Sequence, residues 1–579
     1  MRRRRKNECN GQREYVRLPV VYERGQAMAE EMAPGEGALG STLPQEEMLG
    51  VHMPEEKKPL TLFDLVDVLH ASDVEARVLG DGAACVDGMA IDSREVAPRN
   101  LFVCKGAGFR PAFLESAVAA GAAAYLCEGV GEGLSIPSEL VAAAAVTPAL
   151  VVSDVRRAMA LVAPVIYRHP EDQLHVVGIT GTKGKSTVAY MLRSILVAAG
   201  QEPSILGSIE TDDGKVRYES HNTTPEAPDL WRHLRNTVDA GRRTMVMEVS
   251  SQGLKYDRVL GLPFEIGCFL NIGRDHISGV EHPDFEDYFA SKLRIFNQCE
   301  VAVVNLASDH VDRVLQAAKS APCVATFAVE HAGEGSHGGK VWPVEPLFTA
   351  SGVTQLPTGG LAFTVRERAA EGEIACEEHI ELGMPGLFNV DNALAAISMA
   401  RLLGVGYDAI RAGLAQIRVP GRMELVSSAD GHVLAIVDYA HNELSFETLF
   451  KSVKAEYPDR RVVAVFGAPG GKAQERREAL PRVAGAYADH LVYTEEDPAH
   501  DRVEDICAEL VKNTPAGVSH EVILDREQAV TTVLERALEA PEPSVVLLLA
   551  KGDETRQHRG DEYPEVKSDL AIAREILGA

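Results

Sequence analysis

The run Val176-Val177-Gly178-Ile179-Thr180-Gly181-Thr182-Lys183-Gly184-Lys185-Ser186-Thr187 decides how this chain is read. An apolar segment enters it and an amphipathic one, Val188 to Ala199, leaves it. That order predicts strand, glycine-rich turn and helix. Such a turn wraps a phosphate in backbone N–H groups at a helix N-terminus, where the dipole favours an anion. Lys185 is placed to reach the outer phosphates, and the Ser186 hydroxyl to sit on Mg²⁺. One position departs from the general nucleotide loop, which wants a glycine five residues before Gly184 and here has Ile179.

Outward from this loop, the 579 residues predict several domains. The chain is 45% hydrophobic and 25% charged, as in ordinary globular proteins. A net charge of −27 argues against a general nucleic-acid binder. The nine cysteines fall in no paired spacing, which fits single thiols in a reducing compartment. No apolar run nears the roughly 20 residues of a membrane span. The Arg2–Lys6 cluster is followed by no apolar segment, so it is not a secretory signal. Residues 1–58 are expected to form a disordered tail.

Regular patterning begins at Leu60, with Thr61 as a helix cap. Alternating short strands and helices then predict an α/β unit over 59–165. In it, Ser93 follows a strand, either as a ligand contact or as a plain turn residue. A central unit follows over 166–420. Thr224 lies before a helix, which it could cap with Pro225 at the first helical position. Glu248 ends the apolar run Thr244–Val249, where a nucleotide site holds Mg²⁺; burying an unpaired carboxylate there for structure alone is costly. His276 is either a metal ligand or an ordinary histidine. Tyr288, Lys292 and Phe296 share one helical face, where the lysine either snorkels or stands near the active centre. Residues 333–360 read as a glycine-rich loop excursion. Asn389 and Asn392 open a helix, as caps or as contacts for a polar ligand such as a purine edge.

The third unit, 421–579, alternates apolar strands with helices, which predicts a parallel sheet covered on both faces. Its polar strand ends carry Asp438, His441, Glu496, Asp497, Asp553 and Glu554, where ligands of such sheets bind.

Taken together the motifs resemble the ATP-dependent Mur ligases from about Leu60 to the end. The resemblance rests on TGTKGKST from Thr180, NTTPE from Asn222, MEVSSQ from Met247, NIGRDH from Asn271, DYFASKLRIF from Asp287, GLFNVDNALAA from Gly386, VPGRME from Val419 and DYAH from Asp438. It implies a three-domain α/β architecture with a central P-loop ATPase domain and a Rossmann-like C-terminal domain. It accounts for the Gly181-x-x-Gly184-Lys185 spacing. It implies ATP and Mg²⁺, with Gly181, Thr182, Lys183, Gly184, Lys185, Ser186 and Thr187 on the phosphates, and Asn389, Asn392, Arg422, Asp438 and His441 on the rest of the nucleotide. Lys185, Glu248, His276 and Lys292 become the catalytic set. Ser186, Glu248, His276 and a carbamylated Lys292 become metal ligands. Ser93, Thr223, Thr224, Ser250 and Arg258 match positions gripping a UDP-sugar-peptide.

The implied reaction adds an amino acid to a UDP-muramoyl dipeptide through an acyl phosphate, in peptidoglycan precursor synthesis. It implies a cytoplasmic monomer without nucleic-acid or membrane partners. The acceptor region departs from the pattern for diaminopimelate, Asp-Asn-Pro-Arg, and reads Glu496-Asp497-Pro498-Ala499. The arginine that would clamp a second carboxylate is missing. Glu496, Asp497 and Glu554 therefore suit a cationic side chain, L-lysine before ornithine or diaminopimelate. Another amide ligase of the superfamily, or a non-catalytic nucleotide-binding paralogue, stands as the alternative.

Overall fold

The computed structural model describes residues 59–578, apart from 107, 145, 221, 276, 278–280, 331–341 and 370–371. The tail expected over 1–58, and His276, lie outside the described residues. Helix α1 (Leu62–His70) starts where its sequence predicts. The Thr61 side chain accepts from the Asp64 N–H while the Asp64 carboxylate accepts from the Thr61 N–H. Such a reciprocal cap stabilises a helix by about 1 kcal/mol.

The first unit holds β1 (Ala76–Leu79), β2 (Gly88–Ala90), β3 (Asn100–Cys104), β4 (Ala124–Glu128) and β5 (Ala149–Val152), in the order β1-β5-β4-β3-β2. Only the β1–β5 pair is antiparallel. Its apolar residues pack without a break into one face of the central sheet: Leu126 and Val152 share a cluster with Trp231, Phe269 and Phe296.

The central sheet has eleven strands. These are β6 (His175–Thr180), β7 (Ser204–Leu206), β8 (Glu210–Asp212), β9 (Arg217–Glu219), β10 (Thr244–Glu248), β11 (Phe264–Phe269), β12 (Cys299–Asn305), β13 (Cys323–Val329), β14 (Phe348–Gln355), β15 (Leu361–Arg368) and β16 (Ile374–Leu382). Their order is β16-β15-β14-β13-β12-β11-β6-β10-β7-β8-β9. β6 lies between β11 and β10, parallel to both, with Glu248 paired to Ile179 and Phe269 to Thr180. Three strand ends and the loops beyond them are thereby brought side by side, where ligands of such sheets gather. Helices α2 (Lys185–Ala198), α3 (Ala227–Asp239), α4 (Ser251–Lys255), α5 (Phe285–Leu293) and α6 (Asn389–Leu402) surround the site.

One expectation needs correction, and one alternative falls away. The excursion read over 333–360 contains β14, whose Phe348, Thr349 and Ala350 are buried between β13 and β15. Its apolar first half forms strand despite Gly352, which takes φ +64 where the register slips. Thr224 does not cap α3, which starts at Ala227 with Glu226 as N-cap and a proline, Pro228, in its first turn.

The C-terminal unit comprises β17 (Glu424–Ser427), β18 (Val433–Asp438), β19 (Arg461–Phe466), β20 (His490–Tyr493), β21 (His520–Val522) and β22 (Ser544–Leu549), in the order β17-β18-β22-β19-β20-β21. All pairs are parallel except β17–β18 at the edge. Helix α7 (Glu443–Glu456) covers the side that faces the central unit. Ile436, Phe446 and Phe466 join Ile179, Leu192 and Leu394 in one continuous core.

Candidate active site

The turn after β6 is held by its neighbour loop. The Asn271 side chain accepts from the Lys183 N–H at 2.9 Å and donates to the Lys183 carbonyl at 3.1 Å. The Thr182 N–H donates to the Asn271 carbonyl at 3.0 Å, and the Thr182 hydroxyl lies 3.1 Å from that of Tyr288. Gly184 caps α2 in the left-handed region at φ +88. A Cβ at Gly184 would lie 2.4 Å from Asn392 Oδ1, so the phosphate turn and the start of α6 meet where there is no side chain. Lys185 Nζ folds back on the carbonyls of Gly181 (3.1 Å) and Thr182 (3.3 Å). Burial pushes its pKa down, with Glu248 and Asp275 opposing. Lys183 pairs with Asp275 at 3.1 Å. Ser186 and Thr187, in the first turn of α2, are buried beside the loop.

Glu248 is 2% exposed. It accepts from the Ser208 N–H at 2.8 Å and the Ser208 hydroxyl at 3.3 Å, and Gly207 gives it room. Lys292 is also 2% exposed, and its Nζ donates to the same Gly181 carbonyl at 2.8 Å. The ammonium stands 4.8 Å from the Tyr288 ring centre. No carboxylate among the described residues pairs with it. Burial drives its pKa well below the ordinary lysine value, and the nearby Lys185 and Lys183 charges act in the same direction. The face of Tyr288, Lys292 and Phe296 thus points inward, not to solvent.

Among the described residues no three His, Cys, Asp or Glu side chains gather as a metal cluster. The donor set beside the loop is the Ser186 hydroxyl and the Glu248 carboxylate. These hard oxygens suit Mg²⁺, which keeps several waters and needs few protein ligands. Lys292 as an ammonium does not suit it; converted to a carbamate it would.

Asn389 and Asn392 are 1% and 8% exposed. Asn389 donates to the Pro385 carbonyl at 2.7 Å, and Asn392 donates to Asn389 Oδ1 at 2.9 Å. The pair forms a small network rather than a cap, with Asn392 against Gly184. Across the boundary, Asp438 accepts from the Met423 N–H at 2.8 Å and the Ala440 N–H at 2.7 Å. Burial raises its pKa and the Arg422 guanidinium opposes. Arg422 stacks 4.5 Å over Tyr439. His441 donates from Nδ1 to the Tyr439 carbonyl at 2.7 Å; burial holds its pKa down to about 3, so it is neutral. A cavity of about 370 Å³ opens at this junction, lined by Pro385, Arg418, Val419, Arg422 and Met423 among others.

The other expected contacts divide into two groups. Thr224 accepts from the Ser250 N–H at 2.9 Å and donates to the Glu248 carbonyl at 3.0 Å. Ser250 caps α4, and Thr223 lies 2.8 Å from Ser208 between hydroxyls. Arg258 donates to the Thr224 carbonyl at 3.1 Å and pairs with Glu226 at 3.0 Å. Lys105, from the first unit, pairs with the same Glu226 at 2.7 Å. Ser93 stands half-buried in the turn after β2.

In the second group, beyond the C-terminal strand ends, Lys551 is 3% exposed. It pairs with Asp497 at 2.8 Å and Glu554 at 2.6 Å. Glu496 is 7% exposed, and among the described residues its Oε2 has no hydrogen-bond partner. Burial pushes its pKa up to about 7 against the pull of Arg476. Asp553 turns instead toward Gly421 at the chain crossing.

Sequence reasoning passed over Asn271, Ser208, Lys105 and Lys551 as contributors. Asn271 opens a motif read for other residues, and Lys551 stands two residues before Asp553. Ser208 and Lys105 carry no local signal.

A glycine-rich turn at a strand end thus stands on one unit, with buried carboxylates beyond the strand ends of another. Residues 179–400 match the family described as the Mur ligase middle domain, and 421–552 that described as the Mur ligase, glutamate ligase domain. The chain belongs to the Mur ligase family of ATP-dependent ligases. Within that family it is 36% identical over 503 residues to the UDP-N-acetylmuramyl-tripeptide synthetase of Lactobacillus delbrueckii subsp. bulgaricus, covering 85% of this chain and 93% of that protein. It is 33% identical over 543 residues to the UDP-N-acetylmuramoyl-L-alanyl-D-glutamate--L-lysine ligase of Enterococcus faecalis, covering 93% and 98%. In fold it is similar to a solved UDP-N-acetylmuramoyl-L-alanyl-D-glutamate--2,6-diaminopimelate ligase. The TM-score there is 0.59 at 22% identity, covering 90% of this chain and 99% of that one. A folylpolyglutamate synthase from Mycobacterium tuberculosis shares the fold at a TM-score of 0.54 and 17% identity, covering 73% and 95%.

Proposed function

We propose that this protein joins L-lysine to the terminal carboxylate of UDP-N-acetylmuramoyl-L-alanyl-D-glutamate, with ATP split to ADP and phosphate, in peptidoglycan precursor synthesis. The observation that carries the choice of amine is Glu496, a buried carboxylate with one oxygen unpartnered among the described residues, in a segment where Ala499 stands in place of a clamping arginine. The relatives named for the tripeptide and for lysine support it.

In this reading the backbone N–H groups from Gly181 to Lys185, with the Lys185 ammonium, receive the triphosphate. Asn389, Asn392, Arg422, Asp438 and neutral His441 receive base and ribose where the central and C-terminal units meet. Ser93, Thr223, Thr224, Ser250 and Arg258 orient the UDP-sugar-dipeptide. A carboxylate oxygen of that dipeptide attacks the γ-phosphorus, the bond to the leaving ADP oxygen breaks, and an acyl phosphate forms. The α-amine of lysine, having lost its proton, then attacks the acyl carbon. The C–O bond breaks and phosphate leaves with the electron pair. Mg²⁺ held by Ser186, Glu248, His276 and a carbamylated Lys292 would offset the charge gathering between carboxylate and triphosphate.

Glu496 would take the side-chain ammonium of lysine, with Asp497 and Glu554 holding Lys551 beside it. Positioning of three ligands by three units supplies much of the rate. Among the described residues no helix is long and apolar enough to cross a membrane, and we place the reaction in the cytoplasm, with a monomer as the working form.

Ligation of UDP-N-acetylmuramoyl-L-alanyl-D-glutamate with competing lysine, ornithine and diaminopimelate, read by mass spectrometry, tests the reading. Lysine is expected to dominate. Preferential incorporation of diaminopimelate would overturn the assignment of the amine, and absence of any ligation would overturn the reaction.

A further inference from the structure

Glu456 is the last residue of α7, and it stands where its own helix does not favour it. A helix C-terminus carries partial negative charge and disfavours a carboxylate. The side chain is also 8% exposed, and no cation among the described residues pairs with it. Its partners come from the other side of the boundary. Oε2 accepts from the Gly386 N–H at 2.9 Å and Oε1 from the Leu387 N–H at 3.0 Å. Ser452, one turn earlier on α7, accepts from the same Leu387 N–H at 2.6 Å and donates to Glu456 Oε1 at 2.7 Å. Burial raises the pKa of the carboxyl, and these hydrogen bonds hold it toward the ionised form.

The two amides it binds open the turn that launches α6. Gly386 takes φ +97, a left-handed conformation that only glycine adopts freely, and its carbonyl accepts from the Asn389 N–H at 2.7 Å. Asn389 then holds Asn392, and Asn392 touches Gly184 of the phosphate turn. An unbroken series of contacts therefore runs from α7 of the C-terminal unit to the phosphate loop. A carboxylate placed at cost to its own helix, and bound at both oxygens by the backbone of another unit with help from Ser452, is accounted for by what it holds there.

We propose that Glu456, with Ser452, is a positioning residue for the nucleotide: docking of the C-terminal unit fixes the 386–387 turn and so sets the Asn389–Asn392 pair. This rests on the nucleotide site described under Proposed function. The test uses the full-length chain with Glu456→Gln and Ser452→Ala. Glutamine keeps the shape but faces one of the two N–H groups with another donor. KM is measured separately for ATP, for the UDP-dipeptide and for lysine, with circular dichroism as a check on folding.

Glu456→Gln is expected to raise the KM for ATP tenfold or more, about 1.4 kcal/mol. The KM values for the other two substrates are expected to stay within twofold. Ser452→Ala is expected to move ATP alone, in the same direction and less. An unchanged KM for ATP in Glu456→Gln, or an equal rise for all three substrates, would overturn the positioning role. If Glu456→Gln does not fold, Ser452→Ala decides on the same criterion. A wild-type chain that ligates without ATP would sink the nucleotide site itself and this role with it. ATP dependence in the wild type, with unchanged variants, would sink this role alone.

Discussion

Replacing Gly184 with alanine should injure nucleotide use through two costs that can be added from the geometry. The residue sits at φ +88, and a side chain in that region costs roughly 1–2 kcal/mol. The new Cβ would also stand 2.4 Å from Asn392 Oδ1. The amide of Asn392 can swing aside, but doing so breaks its 2.9 Å bond to Asn389, a loss of about 0.5–1.5 kcal/mol. The sum, about 1.5–3.5 kcal/mol, corresponds to roughly a 10- to 400-fold change in affinity.

Where the cost falls depends on the loop. Without nucleotide the turn can relax and lower the strain. With phosphate seated, the N–H groups must take the wild-type geometry, so the cost should appear mainly in ATP affinity. The assay is KM for ATP at saturating UDP-dipeptide and lysine, with a thermal melt of the same preparation. A loss of ATP affinity without a comparable loss of melting temperature is expected. If the variant shows KM for ATP within twofold of wild type and an unchanged melt, the close approach of Gly184 and Asn392 does not exist in solution.

Lys292→Met should leave ligation undetectable while the melting temperature holds, because the buried amine has no carboxylate partner among the described residues and an apolar side chain of similar length carries no polar group to bury. Retained turnover would remove Lys292 from the catalytic set. Native mass spectrometry of the wild type in bicarbonate should show the added mass of one CO₂, absent from this variant. Glu496→Gln should raise the KM for lysine at least tenfold and leave ATP untouched. In the wild type the KM for lysine should rise as pH falls through about 7, since only the ionised carboxylate attracts an ammonium; in the glutamine variant that dependence should vanish. The linked effect on stability has the opposite sign. A carboxyl raised from 4.5 to about 7 on folding contributes stability that is complete below 4.5 and lost as pH rises through about 7.

Much of the fold was legible because alternation of apolar strands and amphipathic helices is a local property of sequence. The parallel C-terminal sheet follows from continuous apolar runs such as Val545–Leu549, which only a sheet covered on both faces tolerates. The reading failed where a local signal had two causes. Glycine was read as loop through β14, although Gly352 marks a register slip inside a strand. Pro225 leaves a helix cap open for Thr224 beside a ligand contact, while the proline that enters the helix is Pro228. Motif residues such as Lys185, Glu248 and Asn389 stand out in sequence because each sits at the end of a strand or the start of a helix. The contacts of Glu456 with Gly386, of Lys105 with Glu226 and of Lys551 with Asp497 join residues far apart in sequence. No spacing rule reaches across such distances; only the docked units bring these groups together.

The missing side chain at Gly184 has a consequence for the order of events. Because Asn392 rests directly on the phosphate turn, nucleotide seating and the alignment of α6 are not separable steps. The same helix start is held from behind by the C-terminal unit, to which the proposed function assigns the amine. Free energies of coupling are reciprocal. Whatever docking of the C-terminal unit adds to nucleotide affinity, the nucleotide returns as a bias toward docking, so that under the proposed function the ligand that reacts first also brings up the unit that holds the amine.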